Sequence, residues 1–463
     1  MASLMSAAMT CLLPSSLAQA IAIVGGTIID TRDLGHSTHD LKNSVVLIED
    51  GRIKAVGPSS YIRIPVNAKR IDAKGRYLIP GLIDGFGAIR TQEFARAYLY
   101  NGVTSVFVTE SVAGSNADGE EKIVHELPAG PHILRGAIIS GYVRGSSPTQ
   151  PKTLLEHRIN DRRISKEELI AEVDRFADTG YRGLTIDDDV WPDQLDEIES
   201  EVRRRGIPTF IEPAFTSYAE AIRRGVSTLL RNDRYLLQLA PAEALKARAD
   251  DLRNGAAANR AVCTANPDSP AVATYGHQLA LSTTALMPTL AMEASADGLD
   301  VPNPWQAPSA KGLNPMDLDV PPDPKTGLPS YLSSLPIERR KAVKDCAWHR
   351  EALDAQLYHD GARFLAGSSA PGYGVMPGSG LILEINLLHR IGLTQREALA
   401  AATSNFAELY GWKDVGRIDA GYNADILVLD ADPTKSLGAL NEIRLLLVDG
   451  KPVNRHALLN PRH

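Results

Sequence analysis

The sequence predicts an α/β fold organised as a (β/α)8 TIM barrel, with additional strands at both ends of the chain. Three observations support this prediction. Between residues 77 and 412, apolar runs typical of strands alternate with amphipathic helical patterns, and the unit occurs eight times. A chain of 463 residues is long enough for a barrel of roughly 250 residues and a second domain. Residues 21–76 and 413–455 are instead typical of short strands joined by turns.

The predicted barrel strands follow one another at regular intervals along the chain. They cover residues 77–88, 102–110, 134–143, 183–187, 207–212, 225–231, 285–292 and 363–369. Helical patterns separate them, and Ser165 with Glu168 three residues later predicts a helix start of the capping-box type. Because the sites of such barrels lie at the C-terminal ends of the strands, we expect the functional side chains there.

The composition excludes several classes of function. A net charge of −7 without a basic cluster argues against a nucleic-acid partner. No segment after residue 20 has the run of about 18 apolar residues that a membrane span requires. The expected partner is therefore a small-molecule ligand or substrate bound at the mouth of the barrel.

The first twenty residues differ from the rest of the chain. Residues 1–20 carry no charged side chain and end in Ala18-Gln19-Ala20, the small-residue pattern of a signal-peptidase site. We predict a signal peptide at 1–20 and a periplasmic or secreted protein if it is cleaved; otherwise the protein is cytoplasmic. Cys263 and Cys346 would remain after cleavage, either as a disulfide or as two buried thiols.

A proline-rich segment interrupts the alternation after the seventh predicted strand. Residues 297–330 contain eight prolines and show little periodicity. Segments of this kind are either functional covers or disordered. A lid over the mouth and a disordered loop are both compatible with the sequence.

The run Pro80-Gly81-Leu82-Ile83-Asp84 resembles the first barrel strand of the amidohydrolase superfamily, in particular imidazolonepropionase- and prolidase-like members. Residues 416–429 are similar to the signature near the C-terminal end of the same proteins. The resemblance implies a composite β-sandwich domain formed by both termini, from 21–76 and 413–455, beside a barrel domain at 77–412. It also implies hydrolysis of carbon–nitrogen bonds other than peptide bonds, and a possible homodimer, since many relatives form dimers.

The resemblance also locates the catalytic metal of the superfamily. Relatives hold it with a His-x-His pair, a Lys, two single His and an Asp at strand ends. The matching positions here are Phe86, Ala88, Thr185, Glu212, Arg231 and Ser369. A transition metal needs three or four N, O or S donors at about 2.0 to 2.3 Å, and only Glu212 supplies a carboxylate. Because Arg231 would also place a permanent cation there, we predict that the metal site is lost and that no cofactor is bound.

Polar residues nevertheless remain at the predicted mouth. Alternation along the strands would turn Asp187 and Asp189 inward with Thr185, and Asp233 inward with Arg231. The candidate catalytic residues are Asp187 and Glu212 as general acid or base, and the candidate substrate-binding residues are Arg231, Asp233 and Ser369. Alternatively, Arg231 and an acidic neighbour form a structural ion pair that fills the cavity. A site of unrelated design is a third possibility.

Two functional hypotheses follow from the sequence. The first is an amidohydrolase-like hydrolase with residual or altered activity that does not depend on a metal. The second is a catalytically inactive relative, a pseudoenzyme that binds a small molecule or acts as a scaffold. The eleven histidines form no His-x-His and no His-Glu-x-x-His motif, so we expect His132 and the others to be surface or core residues.

Overall fold

The computed structural model describes residues 19–109, 117–142, 162–250 and 255–460. The predicted signal peptide therefore lies almost entirely outside the described residues. The strands are β1 (Ile21–Ile28), β2 (Leu41–Glu49), β3 (Arg52–Pro58), β4 (Lys69–Asp72), β5 (Tyr77–Pro80), β6 (Leu82–Gly87), β7 (Val103–Thr109), β8 (His132–Ile139), β9 (Gly183–Ile186), β10 (Thr209–Ile211), β11 (Thr228–Leu230), β12 (Ala285–Met287), β13 (Arg363–Phe364), β14 (Ile426–Leu429), β15 (Ile443–Val448) and β16 (Lys451–Val453).

Helices separate the strands of the central region and also follow the last strand. The α-helices are α1 (Gln92–Tyr100), α2 (Ala117–His125), α3 (Lys166–Asp178), α4 (Pro192–Arg205), α5 (Tyr218–Arg224), α6 (Asn232–Tyr235), α7 (Ala242–Asp250), α8 (Gly255–Val262), α9 (Pro270–Leu281), α10 (Leu290–Ala296), α11 (Ser330–Ser334), α12 (Ile337–His359), α13 (Ser379–Arg390), α14 (Gln395–Ala401), α15 (Ser404–Tyr410) and α16 (Arg455–Leu459). The predicted start of α3 is confirmed, because Ser165 and Glu168 form a reciprocal capping box.

Eight parallel strands form the barrel, in the order β6 to β13. The ring closes between its first and last strands: the N–H of Ser369 donates to the carbonyl of Phe86 at 2.7 Å, and the N–H of Ala88 donates to the carbonyl of Ala370 at 3.0 Å. The prediction of a (β/α)8 barrel is confirmed. The carboxyl ends of the strands meet at one face, which is the mouth.

A second, mixed sheet is built from both ends of the chain. Its order is β16-β15-β14-β5-β1-β2-β3, with β4 beside β1. Strand β5 pairs with β1 and with β14, so residues 77–80 belong to this sheet. The chain enters the barrel only at Leu82, a few residues later than the sequence predicts.

Several barrel strands are shorter than their apolar runs. The clearest case is the predicted seventh strand at 285–292, because β12 ends at Met287 and helix α10 begins at Leu290. Pro288 cannot donate to the ladder, and Thr289 adopts a left-handed backbone with φ +52°. The second half of that predicted strand is therefore wrong: it is helical.

Aromatic side chains fill the interior of the barrel. The rings of Phe107 and Phe210 stack with their centroids 4.5 Å apart. Below them Phe406 stacks on Trp412 at 5.7 Å. A side chain at Gly85 would place its Cβ 2.6 Å from the ring of Phe406, so the first strand needs glycine there. The barrel is a packed core whose accessible chemistry is confined to its rim.

The proline-rich segment is folded rather than disordered, as short 3-10 turns against the barrel. Arg90, just after β6, forms a two-pronged ion pair with Asp319 at 2.8 and 3.0 Å. The N–H of Gly374, in the loop after β13, donates to the carbonyl of Asp319 at 2.9 Å. This part of the segment therefore borders the mouth beside the first and eighth strands.

Two further predictions concern covalent and membrane features. Cys263 and Cys346 form a disulfide with Cα atoms 4.8 Å apart, which decides between the two alternatives left open by the sequence. Among the residues described, no helix combines the length and the apolar composition needed to cross a lipid bilayer.

Candidate functional site

The centre of the mouth carries an ion pair between two adjacent strand ends. Glu212 directly follows β10 and Arg231 directly follows β11, so parallel pairing of these strands brings them together. Arg231 Nε lies 2.9 Å from Glu212 Oε1, and each side chain is about a quarter exposed, at 26% and 24%. The N–H does not point at the carboxylate with hydrogen-bond geometry. The pair is therefore held by charge and is partly exposed to solvent.

Arg231 also lies beside the end of the first barrel strand. Its guanidinium carbon is 5.8 Å from the centroid of the Phe86 ring. Its backbone has φ +58°, a left-handed conformation that costs an ordinary residue about 1 kcal/mol or more. Ser369, which follows the eighth strand, has a similar φ of +59°. Both residues therefore have strained backbones at the mouth.

A second arginine completes the charged rim. Arg234, on the short helix α6, has its Nε 3.8 Å from Glu212 Oε2 and 3.4 Å from Asp233 Oδ2. The charge of Asp233 raises the pKa of Arg234 further above its usual range. Sequence analysis did not predict Arg234 as a site residue, because strand alternation stops at Leu230 and a helical turn returns Arg234 to the rim.

Buried acids lie behind this rim. Glu293 on α10 is fully buried, and burial together with the charge of Asp233 raises its pKa well above the usual range. Arg350 on α12 donates from Nη2 to Glu293 Oε2 at 2.9 Å and also contacts Asp297. These three side chains support α10, which starts at the mouth.

The remaining predicted residues take different positions. Asp187 follows β9, where its Oδ1 accepts the N–H of Asp188 at 2.9 Å. Asp189 is buried and turns toward the loop after β8, because it accepts the hydroxyl of Ser140 and the N–H of Gly141, both at 2.7 Å. The prediction for Asp189 assumed strand alternation, but β9 ends at Ile186, so these contacts and not alternation position its side chain.

The hydroxyl residues Thr185 and Ser369 are both buried at the ends of their strands. Thr185 on β9 shares a hydrogen bond of 2.9 Å with the hydroxyl of Thr109 on β7, across the intervening strand β8. Ser369 is buried at 6% exposure. Its neighbour Ser368 donates from Oγ and N to Asp84, at 2.5 and 2.8 Å. Burial raises the pKa of Asp84 to about 6, although these donors oppose the shift.

A buried carboxylate fixes the residue next to Arg231. Asp354 on α12 accepts the hydroxyl of Tyr235 at 2.6 Å and the amide of Asn232 at 2.9 Å. Burial raises the pKa of Asp354 to about 7, against the opposing effect of both donors. The side-chain amide oxygen of Asn232, Oδ1, is buried and has no hydrogen-bond partner.

We expect Asp354→Asn to stabilise the protein by about 1 to 3 kcal/mol at pH 8 and to change little at pH 4. The folded chain keeps a proton on Asp354 that the unfolded chain loses above pH 4. Stability therefore falls as pH rises from about 4 to 7, and the variant removes this loss. Rotating the Asn232 amide would also give its orphaned oxygen a donor. Urea unfolding across this range measures the difference, with the exposed Asp345→Asn on the same helix as control; parallel profiles would contradict it.

A separate His–Asp group lies at the opposite end of the barrel. His132 begins β8, Asp425 precedes β14, and Asp449 follows β15. The Nε2 of His132 is 3.0 Å from Asp425 Oδ2 and 3.5 Å from Asp449 Oδ1. Burial alone would lower the pKa of His132, but contact with Asp425 and the charge of Asp449 raise it to about 9. The sequence analysis treated His132 as an ordinary histidine, because its partners are about 300 residues away in the chain.

The fold is similar to the folds of several solved structures. A putative prolidase from Bifidobacterium longum gives a TM-score of 0.59 at 19% identity, covering 96% of this chain and 99% of that one. A bottromycin amidohydrolase gives a TM-score of 0.66 at 18% identity, covering 95% and 88%. Identities this low establish the likeness of fold alone.

Sequence comparison adds a family match in the C-terminal part of the chain. The model of the amidohydrolase family matches residues 298–453. This part of the chain is therefore similar to the amidohydrolase family. Adenine deaminase 3 of Rhizobium meliloti is 43% identical over 68 residues, 14% of this chain and 11% of that protein. An imidazolonepropionase of Rubrobacter xylanophilus is 53% identical over 55 residues, 11% of this chain and 13% of that protein. The chain thus matches only a small fraction of these relatives' lengths.

Proposed function

We propose that this protein is a member of the amidohydrolase superfamily and a small-molecule hydrolase whose mouth works without the family's metal. The observation that carries the proposal is the Arg231–Glu212 pair, with its guanidinium beside Phe86. A dication at this place would meet a permanent cation and, among the described ligand positions, a single carboxylate already engaged by that cation. The side chains at these positions do not fit the metal centre of the family.

The remaining groups suit a substrate with a negatively charged part. Arg231 and Arg234 both face Glu212, and a carboxylate of a substrate would replace part of the charge that Glu212 now supplies. Displaced from that pair, Glu212 is the candidate general base that activates water, with Asp187 as the second candidate. One guanidinium group would hold the substrate carboxylate and the other would stabilise the oxyanion formed when water adds to the carbonyl. The proton that the base takes from water would pass to the nitrogen as the carbon–nitrogen bond breaks. Carbon–nitrogen bonds other than peptide bonds are the proposed target.

We expect purified protein to hold no metal ion bound by residues of the mouth. Metal content after dialysis would be measured for the wild type, for Glu212→Gln and for His132→Ala, because the His–Asp group is the other place where an ion could bind. Any bound ion is expected to vanish in His132→Ala and to persist in Glu212→Gln. The reverse pattern, near one ion per chain lost only with Glu212→Gln, would contradict the metal-free mouth.

We expect Arg231→Met to abolish ligand binding while changing the free energy of unfolding by about 1 kcal/mol or less, because the ion pair is partly solvated. The probes are small amides, lactams and dipeptides with a free carboxylate, screened by thermal shift. Arg223→Met, an exposed arginine on α5, is the control and should bind as the wild type. A variant that keeps all ligand-induced shifts would show that the pair is only structural.

The second candidate function is a catalytically inactive binding or scaffold protein. The same ion pair favours it, since Arg231 and Glu212 already neutralise one another without a ligand. Hydrolysis of a ligand found in the screen separates the two candidates. Product formation that Glu212→Gln abolishes supports the hydrolase, and binding without turnover supports the inactive relative.

A further inference from the structure

We propose that His132, Asp425 and Asp449 form a binding site for one first-row divalent cation such as Zn²⁺, at the joint between the barrel and the terminal sheet. The site is separate from the mouth, because His132 lies at the N-terminal end of its strand and the mouth lies at the C-terminal ends. The inference does not rest on the proposed function.

The spacing of the donor atoms fits a common ion. His132 Nε2, Asp425 Oδ2 and Asp449 Oδ1 all lie within 4.8 Å of one another, with His132 3.0 and 3.5 Å from the two oxygens. Two ligands about 2.1 Å from one cation, at right or tetrahedral angles, are about 3.0 to 3.4 Å apart. One imidazole and two carboxylates are a donor set that zinc and manganese accept.

The directions of the buried atoms provide the second observation. His132 Nε2 and Asp425 Oδ2 are both buried, and neither has a hydrogen-bond partner despite the 3.0 Å between them. The ring nitrogen of His132 therefore does not point along a hydrogen bond to Asp425. A cation on the axis of the ring nitrogen, with both oxygens to its side, produces this arrangement.

The surroundings hold Asp425 in place, and among the described residues no permanent cation compensates its charge. The Oδ1 of Asp425 accepts the N–H of Asp449 at 2.8 Å, and its backbone carbonyl accepts the N–H of Gly81 at 2.8 Å. Its side chain is only 7% exposed. Within the part of the chain that the structure describes, no lysine or arginine pairs with Asp425 or Asp449. Nearby Asp414 is taken by Arg182, in two contacts of 2.7 Å.

The site is accessible to solvent, and an ion bound there would link the two domains. The side chain of Asp449 is 49% exposed, so an ion can reach the two buried donors from solvent. His132 belongs to the barrel, whereas Asp425 and Asp449 belong to the terminal sheet. An ion held by all three would therefore fasten one domain to the other and resist their separation.

Zn²⁺ binding to the EDTA-treated, dialysed full chain tests the proposal, by calorimetric titration and by thermal unfolding. We expect one ion per chain with micromolar or tighter affinity and a rise of several degrees in the unfolding temperature. Asp449→Asn, at a half-exposed position, should weaken binding at least tenfold without loss of the fold. His132→Gln should abolish both the binding and the thermal shift.

Two controls separate this site from other ions. Glu212→Gln at the mouth and His456→Ala at an exposed position should bind Zn²⁺ as the wild type does. Co²⁺ gives an independent readout, since its visible absorption should report a nitrogen–oxygen site in the wild type and disappear in His132→Gln. Equal Zn²⁺ binding by the wild type and both site variants, or no binding by the wild type below millimolar Zn²⁺, would overturn the proposal.

Discussion

Replacing Arg350 by Met is expected to lower the free energy of unfolding by about 3 kcal/mol at pH 8. Arg350 is buried and supplies the cation for Glu293 and Asp297, which lie on or next to helix α10. Without it the two carboxyl groups lose their partner in a place where burial already raises their pKa values. Urea or thermal unfolding measures the loss.

The pH dependence of this variant follows from the same groups. Acids with raised pKa values hold protons in the folded state that they lose when the chain unfolds, so the folded state is favoured at low pH. A protonated Glu293 or Asp297 needs no cation, and the deficit of Arg350→Met should therefore shrink toward pH 5. Arg339→Met, exposed on the same helix, is the control and should match the wild type. A deficit that is equal at pH 5 and pH 8 would show that lost packing, and not the buried charge, is responsible.

Removing the disulfide is expected to have a similarly large effect. Cys263 follows α8 and Cys346 lies on α12, and the bond joins residues 83 positions apart in the chain. A closed loop of this length lowers the conformational entropy of the unfolded chain. In the chain-entropy description this stabilises the folded state by up to about 4 kcal/mol. The double variant Cys263→Ser/Cys346→Ser should unfold at lower urea than the oxidised wild type.

The reduced wild type provides the matched comparison. Dithiothreitol should bring the wild type to the stability of the double variant and leave the double variant unchanged. Identical unfolding of the oxidised and reduced wild type would contradict the prediction. Because disulfides persist mainly in oxidising compartments, this bond supports the proposal that the protein is exported as a periplasmic or secreted protein.

Arg350 and the disulfide both lie in the part of the structure that supports the mouth. Arg350 supports α10, and the disulfide ties α12 to the segment before α9. Asp354, also on α12, fixes Asn232 beside Arg231. The strained backbone of Arg231 is therefore held from behind by one helix, which is why stability measurements on α12 bear on the proposed site.

The sequence by itself determined the barrel and the terminal sheet, because both depend on local periodicity that any chain segment carries alone. It also placed Glu212 and Arg231 at neighbouring strand ends, since each follows its own apolar run. It could not decide which acid would meet Arg231. That pairing depends on the register between β10 and β11, which is a property of the folded sheet.

Only the tertiary structure decided where side chains point once a strand has ended. Alternation predicts orientation inside a strand, but β9 ends at Ile186, and the side chain of Asp189 is instead positioned by its contacts with the loop after β8. Arg234 likewise lies at the rim because of the helical turn of α6 and not because of strand alternation. The His132 group required the whole fold, because one donor comes from the barrel and two come from strands near the C-terminal end of the chain. Contacts between residues distant in sequence have no local pattern, and for that reason they were not visible before the chain was folded.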